Sequence, residues 1–468
     1  MQKQDDSSDG FRDRLYTIDE TGKRLWVFAK KPKGRLTSAR NVTGILLMIF
    51  FFSAPFIKVH GQQLLLFDFL HRTFVIFGVQ FWPQDFNLFF IAMIAMMVFI
   101  IVFTVTYGRI WCGWACPQTV FMEVLFRRIE YWIDGNAHSQ KELDARPWDA
   151  NKIVRRVAKH GIFYLISFII SNYFLMYIIG SDAWYKMVTE SPANHVAGLA
   201  GMAIFSFIFY FIFSWFREQV CTIVCPYGRL QGVLLDRETV VISYDYFRGE
   251  GRGALRKSEI RSETKKGDCI DCSQCVSVCP TGIDIRNGTQ LECINCACCI
   301  DACDDMMNKV GFKPGLIRYA SEKMISDKKP WHYTVRSGAY TVVLAVLLVA
   351  LTYFLVSRNP VEATVLRSPG MLFQEQEGGK ISNLYSVKVV NKTAHDLPIE
   401  LRLLSGQGEV KVIGNAALIA KQSLGEVVFF ILMDRNKLAG GKTELEIGIF
   451  SGGVKLDQTR ATFVGPEK

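Results

Sequence analysis

Between residues 269 and 303 one cysteine spacing is written twice, and it dictates what that stretch can fold around. The first copy is Cys269-x2-Cys272-x2-Cys275-x3-Cys279, followed by Pro280; the second is Cys293-x2-Cys296-x2-Cys299-x3-Cys303. This is the spacing of a bacterial-type ferredoxin carrying two [4Fe–4S] clusters. Three close cysteines hold three corners of a cubane, and the fourth, too far along the chain, crosses to the other cluster. Cluster I is therefore assigned to Cys269, Cys272, Cys275 and Cys303, and cluster II to Cys293, Cys296, Cys299 and Cys279. The competing readings are zinc knuckles and disulfides, but zinc sites show separated C-x2-C pairs rather than one unbroken run. Cys298 breaks no spacing and is expected beside cluster II as a non-ligand.

The chain has 468 residues, too many for one ordinary domain, and is half apolar yet one-fifth charged. That mixture points to a membrane part joined to soluble parts. Apolar runs at 41–57, 87–107, 161–180, 197–216 and 337–357 are candidate spans. The run Leu64–Trp82 is interrupted by Asp68, His71 and Arg72 and reads as interfacial or re-entrant. Lys and Arg sort the loops: residues 1–40 carry ten, 108–160 nine and 217–336 eighteen, against two in 58–86 and one in 181–196. The positive-inside rule then makes the N-terminus and the cluster region cytoplasmic and the C-terminus periplasmic. That puts the thiol-rich region in a reducing compartment. The net charge of +10 is thereby a topology signal, and no nucleic-acid partner is expected. Met1–Gly10 is polar and acidic, unlike a cleavable signal peptide.

The organisation that follows is a cytoplasmic N-terminal segment (1–40), a four-span bundle (41–240), a ferredoxin-like domain (241–330), a fifth span (337–357) and a cysteine-free C-terminal region (362–468). In the last, short runs alternate apolar and polar, as in Tyr385-Ser-Val-Lys-Val-Val390 and Leu445-Glu-Ile-Gly-Ile449, with turn-type stretches such as Asn391-Lys392-Thr393 between them. This predicts an immunoglobulin-like β-sandwich of about seven strands. It holds no catalytic constellation, and His395 reads as a loop residue.

The membrane part contains its own repeat. Span two ends in Tyr107-Gly-Arg-Ile-Trp-Cys112-Gly-Trp-Ala-Cys116-Pro117, and span four in Phe216-Arg-Glu-Gln-Val-Cys221-Thr-Ile-Val-Cys225-Pro226. Residues i and i+4 share a helix face, so both thiols of a pair could approach one ion. Proline after the second cysteine suits a helix end or the first turn of the next helix. Two such pairs at one depth would give four soft sulfurs, which select Cu(I), zinc or iron–sulfur clusters.

Together these motifs, in this order and over nearly the whole chain, resemble the FixG/RdxA/CcoG family, accessory proteins for assembling cbb3-type cytochrome c oxidase. The paired C-x3-C-P motif also occurs in quinol-linked polyferredoxins of the NapH type, which lack the C-terminal domain. The resemblance implies a multi-pass protein of the bacterial inner membrane that reduces Cu(II) to Cu(I), a cupric reductase. Cys112, Cys116, Cys221 and Cys225 would be both its copper ligands and its catalytic residues. The partners implied are the lipid bilayer, a cytoplasmic electron donor, a copper chaperone or transporter and the oxidase assembly machinery; a homodimer is compatible with the sequence. The residues leave open a quinol- or quinone-linked subunit of a respiratory complex, with the extra cysteines binding a third cluster or only packing, and a non-redox scaffold. No Rossmann or flavin motif identifies the electron donor.

Other candidates read blandly. Met93, Met96 and Met97 on span two are expected to pack rather than carry copper. His60, His71 and His195 fall in the loops expected to be periplasmic, where imidazole could collect Cu(II). His160 begins span three without a haem-ligand partner, and His138 and His332 read as surface residues.

Overall fold

The computed structural model describes residues 17–466 apart from 20, 22, 60, 70–72, 83–84, 257–260, 262–263, 369–371, 377–378, 394, 406–407, 414–416, 422 and 438–440. Met1–Gly10, His60 and His71 lie outside the described residues. The chain divides into two units, one holding most of residues 1–349 and the other built mainly from 350–468.

Among the described residues five helices are long and apolar enough to cross a membrane: Arg35–Phe56, Phe86–Tyr107, Ala150–Ile179, Val196–Phe216 and Val335–Val356. The first and third start earlier than the apolar runs suggest. Span three extends through the polar stretch 150–160, opened by Asp149, whose carboxylate accepts from Lys152 N at 2.7 Å. Span one starts at Arg35 because its first turn is capped from far away: Asp301 accepts from Leu36 N at 3.2 Å and Thr37 N at 2.6 Å. A Cβ at Gly34 would lie 2.2 Å from Asp301 Cγ, so only glycine lets the chain pass.

The segment read as interfacial or re-entrant contains a β-hairpin. Leu65–Asp68 pairs antiparallel with Thr73–Ile76, with Leu65 opposite Ile76. The returning strand is rich in β-branched and aromatic residues, Thr73, Phe74, Val75 and Ile76. Gln63 ties this hairpin to span three by donating to Met176 O at 3.2 Å and accepting from Ser181 N at 3.0 Å.

The cysteine-rich insert is closed at its neck by a two-strand ribbon, Val241–Tyr244 against Ile317–Ala320, with Val241 opposite Ala320. Inside the insert the longest helix is Cys298–Val310, whose buried face includes Cys299, Cys303 and Met307.

The second unit is a β-sandwich. One sheet runs, strand by strand, Gly408–Val412, Leu424–Asp434, Lys380–Asn391 and Val361–Arg367, with Gln374–Gln376 also on Lys380–Asn391. The other runs Ala417–Ile419, Leu397–Leu403, Lys442–Ser451 and Val454–Val464. Nine strands among the described residues replace the seven expected, because the short Gln374–Gln376 and Ala417–Ile419 are too brief to show a period. Alternation along Leu424–Asp434 buries Val427, Phe429, Ile431 and Met433 against Tyr385, Val387, Ile447 and Phe463. Tyr385 satisfies its buried hydroxyl by donating to Thr462 O at 2.9 Å. The carbonyl of the loop residue His395 accepts from Asn391 Nδ2 at 2.8 Å.

Candidate redox centre

The duplicated spacing folds into duplicated loops. Asp271 and Ser273 in the first, and Asn295 and Ala297 in the second, all take left-handed backbone, with φ of 53°, 51°, 54° and 65°. Each costs about 1–2 kcal/mol for a residue with a side chain. Such alternation coils a loop so that successive N–H groups line one concavity, the arrangement that receives iron–sulfur clusters and other anions.

Each loop borders its own hollow. One is lined by Cys269, Cys272, Cys275 and Cys303. The other is lined by Cys279, Cys293, Cys296 and Cys299, with Cys275 at its edge. Apolar walls surround both: Met307 and Leu316 at the first, Ile242 and Ile294 at the second. Four thiols, an inward-coiled loop and a dry wall fit a thiolate-bound cubane in each hollow. Cys298 lies outside both linings. It is buried among Val278, Ile294 and Cys296, on the side where Cys112 packs.

The C-x3-C-P pairs are built differently from a single helix face. Cys112 sits in the five-residue helix Ile110–Trp114, but Cys116 lies beyond it in extended backbone and precedes the helix that opens with Pro117. Cys221 lies in the π-turn Val220–Val224, and Cys225 again precedes a helix that opens with proline, Pro226–Leu234. The i, i+4 geometry expected from the sequence is thus replaced by a turn in both halves, because proline at the next position starts a new helix. π-turns of this kind recur at functional sites.

The two halves interlock. Arg109, buried, donates to Gly228 O at 2.8 Å and also to Leu291 O. Gln118 Nε2 donates to Arg217 O at 3.2 Å, and Gln231 Nε2 lies 3.5 Å from Cys112 Sγ. The four thiols are close enough to feel one another's charge. Burial pushes Cys221 up to about 12, with Cys116, Cys112 and Cys225 adding to the rise. Burial likewise pushes Cys112 up to about 11 against the Gln231 hydrogen bond, and raises Cys116. Without an ion these three thiols are neutral at pH 7. Among the described residues no three His, Cys, Asp or Glu side chains stand close enough to hold a single ion as placed.

The first half is fastened directly onto the second cysteine loop. A Cβ at Gly113 would lie 2.4 Å from Ile294 O and 2.9 Å from Cys296 N. Trp114 Nε1 donates to Tyr319 Oη at 3.1 Å, and that hydroxyl donates to Asn295 O at 2.9 Å. Gly113, Tyr319, Gln231 and Arg109 were not singled out by sequence reasoning. Only Gly113 left a trace, a glycine between a cysteine and a tryptophan.

Met93, Met96 and Met97 are exposed on the outer face of span two, away from the protein interior. His195 pairs with Glu190 at 2.7 Å, and His160 Nδ1 lies 3.0 Å from the Tyr210 hydroxyl on span four.

Comparison with known proteins adds the following. Residues 216–322 match a 4Fe–4S dicluster domain, residues 89–137 a 4Fe–4S binding domain, and residues 351–466 the immunoglobulin-like fold at the C-terminal of FixG. Protein RdxA of Cereibacter sphaeroides is 34% identical over 84% of this chain and 85% of its own length. The nitrogen fixation protein FixG of Rhizobium meliloti is 33% identical over 81% of this chain and 79% of its own. Protein RdxB of Cereibacter sphaeroides is 35% identical over 79% and 80%. A crystal structure of a FixG-related protein from Vibrio parahaemolyticus aligns with 22% of this chain and 95% of its own at 19% identity. Its TM-score of 0.19 is too low for any argument to rest on it.

Proposed function

The chain belongs to the FixG/RdxA family of iron–sulfur electron-transfer proteins, and we propose that it passes electrons to Cu(II) at Cys112, Cys116, Cys221 and Cys225. Cu(I) then leaves for the copper centre of a cbb3-type cytochrome c oxidase. The observation that carries this reading is the seating of Gly113 on Ile294–Cys296, which sets the thiol quartet directly against the second cysteine loop.

When bound, the clusters supply one-electron relays whose potentials depend on surrounding hydrogen bonds and burial. Cys269, Cys272, Cys275 and Cys303 would hold one, and Cys279, Cys293, Cys296 and Cys299 the other. The remaining residues set the path. The Trp114–Tyr319–Asn295 chain fixes the first motif against that loop, and Gln231 orients the Cys112 thiol. The half-buried thiols release protons as an incoming copper ion gathers them. Thiolate ligands favour Cu(I), which is d10 and soft, over Cu(II), and so raise the potential of the bound ion.

The loop charges support a cytoplasmic N-terminus and cluster region and a periplasmic sandwich, in a bacterial inner membrane. In that orientation a cytoplasmic donor reaches the clusters, and a copper chaperone or transporter and the oxidase assembly machinery are the remaining partners.

The test is chemical reduction of anaerobically purified protein, removal of the reductant, and then addition of Cu(II). Cluster bleaching should accompany Cu(I) formation, read with a Cu(I)-selective chelator. A quadruple Cys→Ser variant of the quartet should keep about eight irons per chain, as two cubanes require, yet reduce copper far more slowly. Reduction at the parental rate would sink the assignment. A parent with about twelve irons per chain, falling to about eight in the variant, would mean that the quartet holds a third cluster instead.

A further inference from the structure

The spans enclose a second feature that the thiol chemistry does not use. A cavity of about 650 Å³ lies between spans one, three and four. Its wall is almost wholly apolar and aromatic, with Phe51, Phe174 and Phe213 contributed by the three spans. One end is closed by Leu65, Phe67 and Phe69 of the hairpin. Toward the other end Trp111, Ala115, Pro117 and Gln118, chain neighbours of Cys112 and Cys116, line the cavity, while the two thiols themselves do not.

Size and wall chemistry are those of a ligand site. An occupant drawn from the bilayer must be lipid-soluble and, to match the wall, long and partly flat. The polar groups are unevenly placed. Trp111 and the amide of Gln118, one N–H of which is bonded to Arg217 O at 3.2 Å, stand beside the C-x3-C-P segment, where a polar head would be held, whereas the Tyr177 hydroxyl is spent on Phe51 O at 2.7 Å. An acyl chain would satisfy the wall but has no use for donors beside a redox-active quartet. A flat ring with carbonyl oxygens and an apolar tail satisfies both.

We propose that this cavity binds an isoprenoid quinone or quinol, its ring on the Trp111–Gln118 segment and its tail along the aromatic wall. Resting on the copper-reductase reading, it names a membrane electron source beside the cytoplasmic one. One quinol gives up two electrons, singly, to two Cu(II) at the quartet. It releases two protons and leaves as quinone, and two Cu(I) are formed.

The experiment uses the full chain in detergent. Quenching of tryptophan fluorescence is titrated with a short-chain dimethoxy-methyl-benzoquinone bearing a decyl tail; a saturated fatty alcohol of similar length is tested by competition. A variant carrying both Leu47→Phe and Ile178→Phe narrows the cavity from spans one and three, away from the thiols. The quinone should bind the parent at least tenfold tighter than the alcohol and at least tenfold tighter than it binds the variant, while the variant keeps parental iron content. Equal binding of alcohol and quinone would make the cavity a lipid slot, and undiminished quinone binding in the variant would move the site elsewhere; either result overturns the proposal. Cu(II) reduction is followed in the same preparations after the protein has been reduced with dithionite and freed of the excess reductant. If it persists while quinone fails to bind, only the cavity proposal falls. If quinone binds but the reduced protein, free of dithionite, forms no Cu(I), it is the copper reading that fails.

Discussion

The two halves of the membrane repeat leave their spans with nearly the same backbone but through very different residues. Gly108, four residues before Cys112, has φ 57° and ψ −129°; Arg217, four residues before Cys221, has φ 48° and ψ −123°. Glycine reaches that region freely, whereas arginine does so at a cost. The side chain of Arg217 offsets it through a buried two-pronged pair with Glu130, at 2.8 and 2.9 Å, with Lys159 3.7 Å from the same carboxylate. At Gly108 the insert comes too close for a side chain: a Cβ there would lie 2.9 Å from Val241 Cγ1 and 3.0 Å from Val240 O. One half of the repeat is therefore anchored to the bundle by charge, and the other to the insert by close packing.

Breaking the charge anchor should have the largest effect. Glu130→Ala leaves Arg217 buried, strained and without its main partner, a loss of about 3–5 kcal/mol. The purified variant should lose its iron–sulfur absorbance at a clearly lower temperature than the parent. A parental temperature would mean that the pair contributes nothing to anchoring the second half.

Next comes the packing anchor. Gly113→Ala forces its methyl against Ile294 O and should cost about 1–3 kcal/mol, felt first at the second cysteine loop. Iron per chain should fall, whereas Thr222→Ala, at the matching position of the other half, should keep it. Equal iron in both variants would erase the asymmetry between the halves.

The smallest effect is expected at Cys298. Cys298→Ala removes a buried sulfur outside both hollows and should cost about 1 kcal/mol or less, with the iron content unchanged. Loss of a cluster's worth of iron would make Cys298 a ligand.

How much of this was legible in the sequence depends on whether a signal was local. The cysteine spacing, the apolar runs and the alternation along strands such as Leu424–Asp434 are local, and each has its counterpart in the fold. The early start of span one was not, since Asp301 stands 265 residues from Leu36. The hairpin at Leu65–Ile76 was hidden because an apolar run of that length is ambiguous between helix and strand. The thiol quartet was legible as four residues at two equivalent places, but its geometry was not. Proline's preference for a helix's first position overrode the i, i+4 reading at both Pro117 and Pro226.

The cap on span one also has a consequence in time. Its first turn is completed by a carboxylate that leaves the ribosome only after 265 further residues. At about 5–20 residues per second, that is a wait of roughly 13–53 seconds. Through that interval the N–H groups of Leu36 and Thr37 lack the carboxylate that caps them in the fold. The first membrane helix of the chain is thus among the last to be finished, and the residue that finishes it lies between Cys299 and Cys303, within the helix that carries a thiol for each of the two hollows.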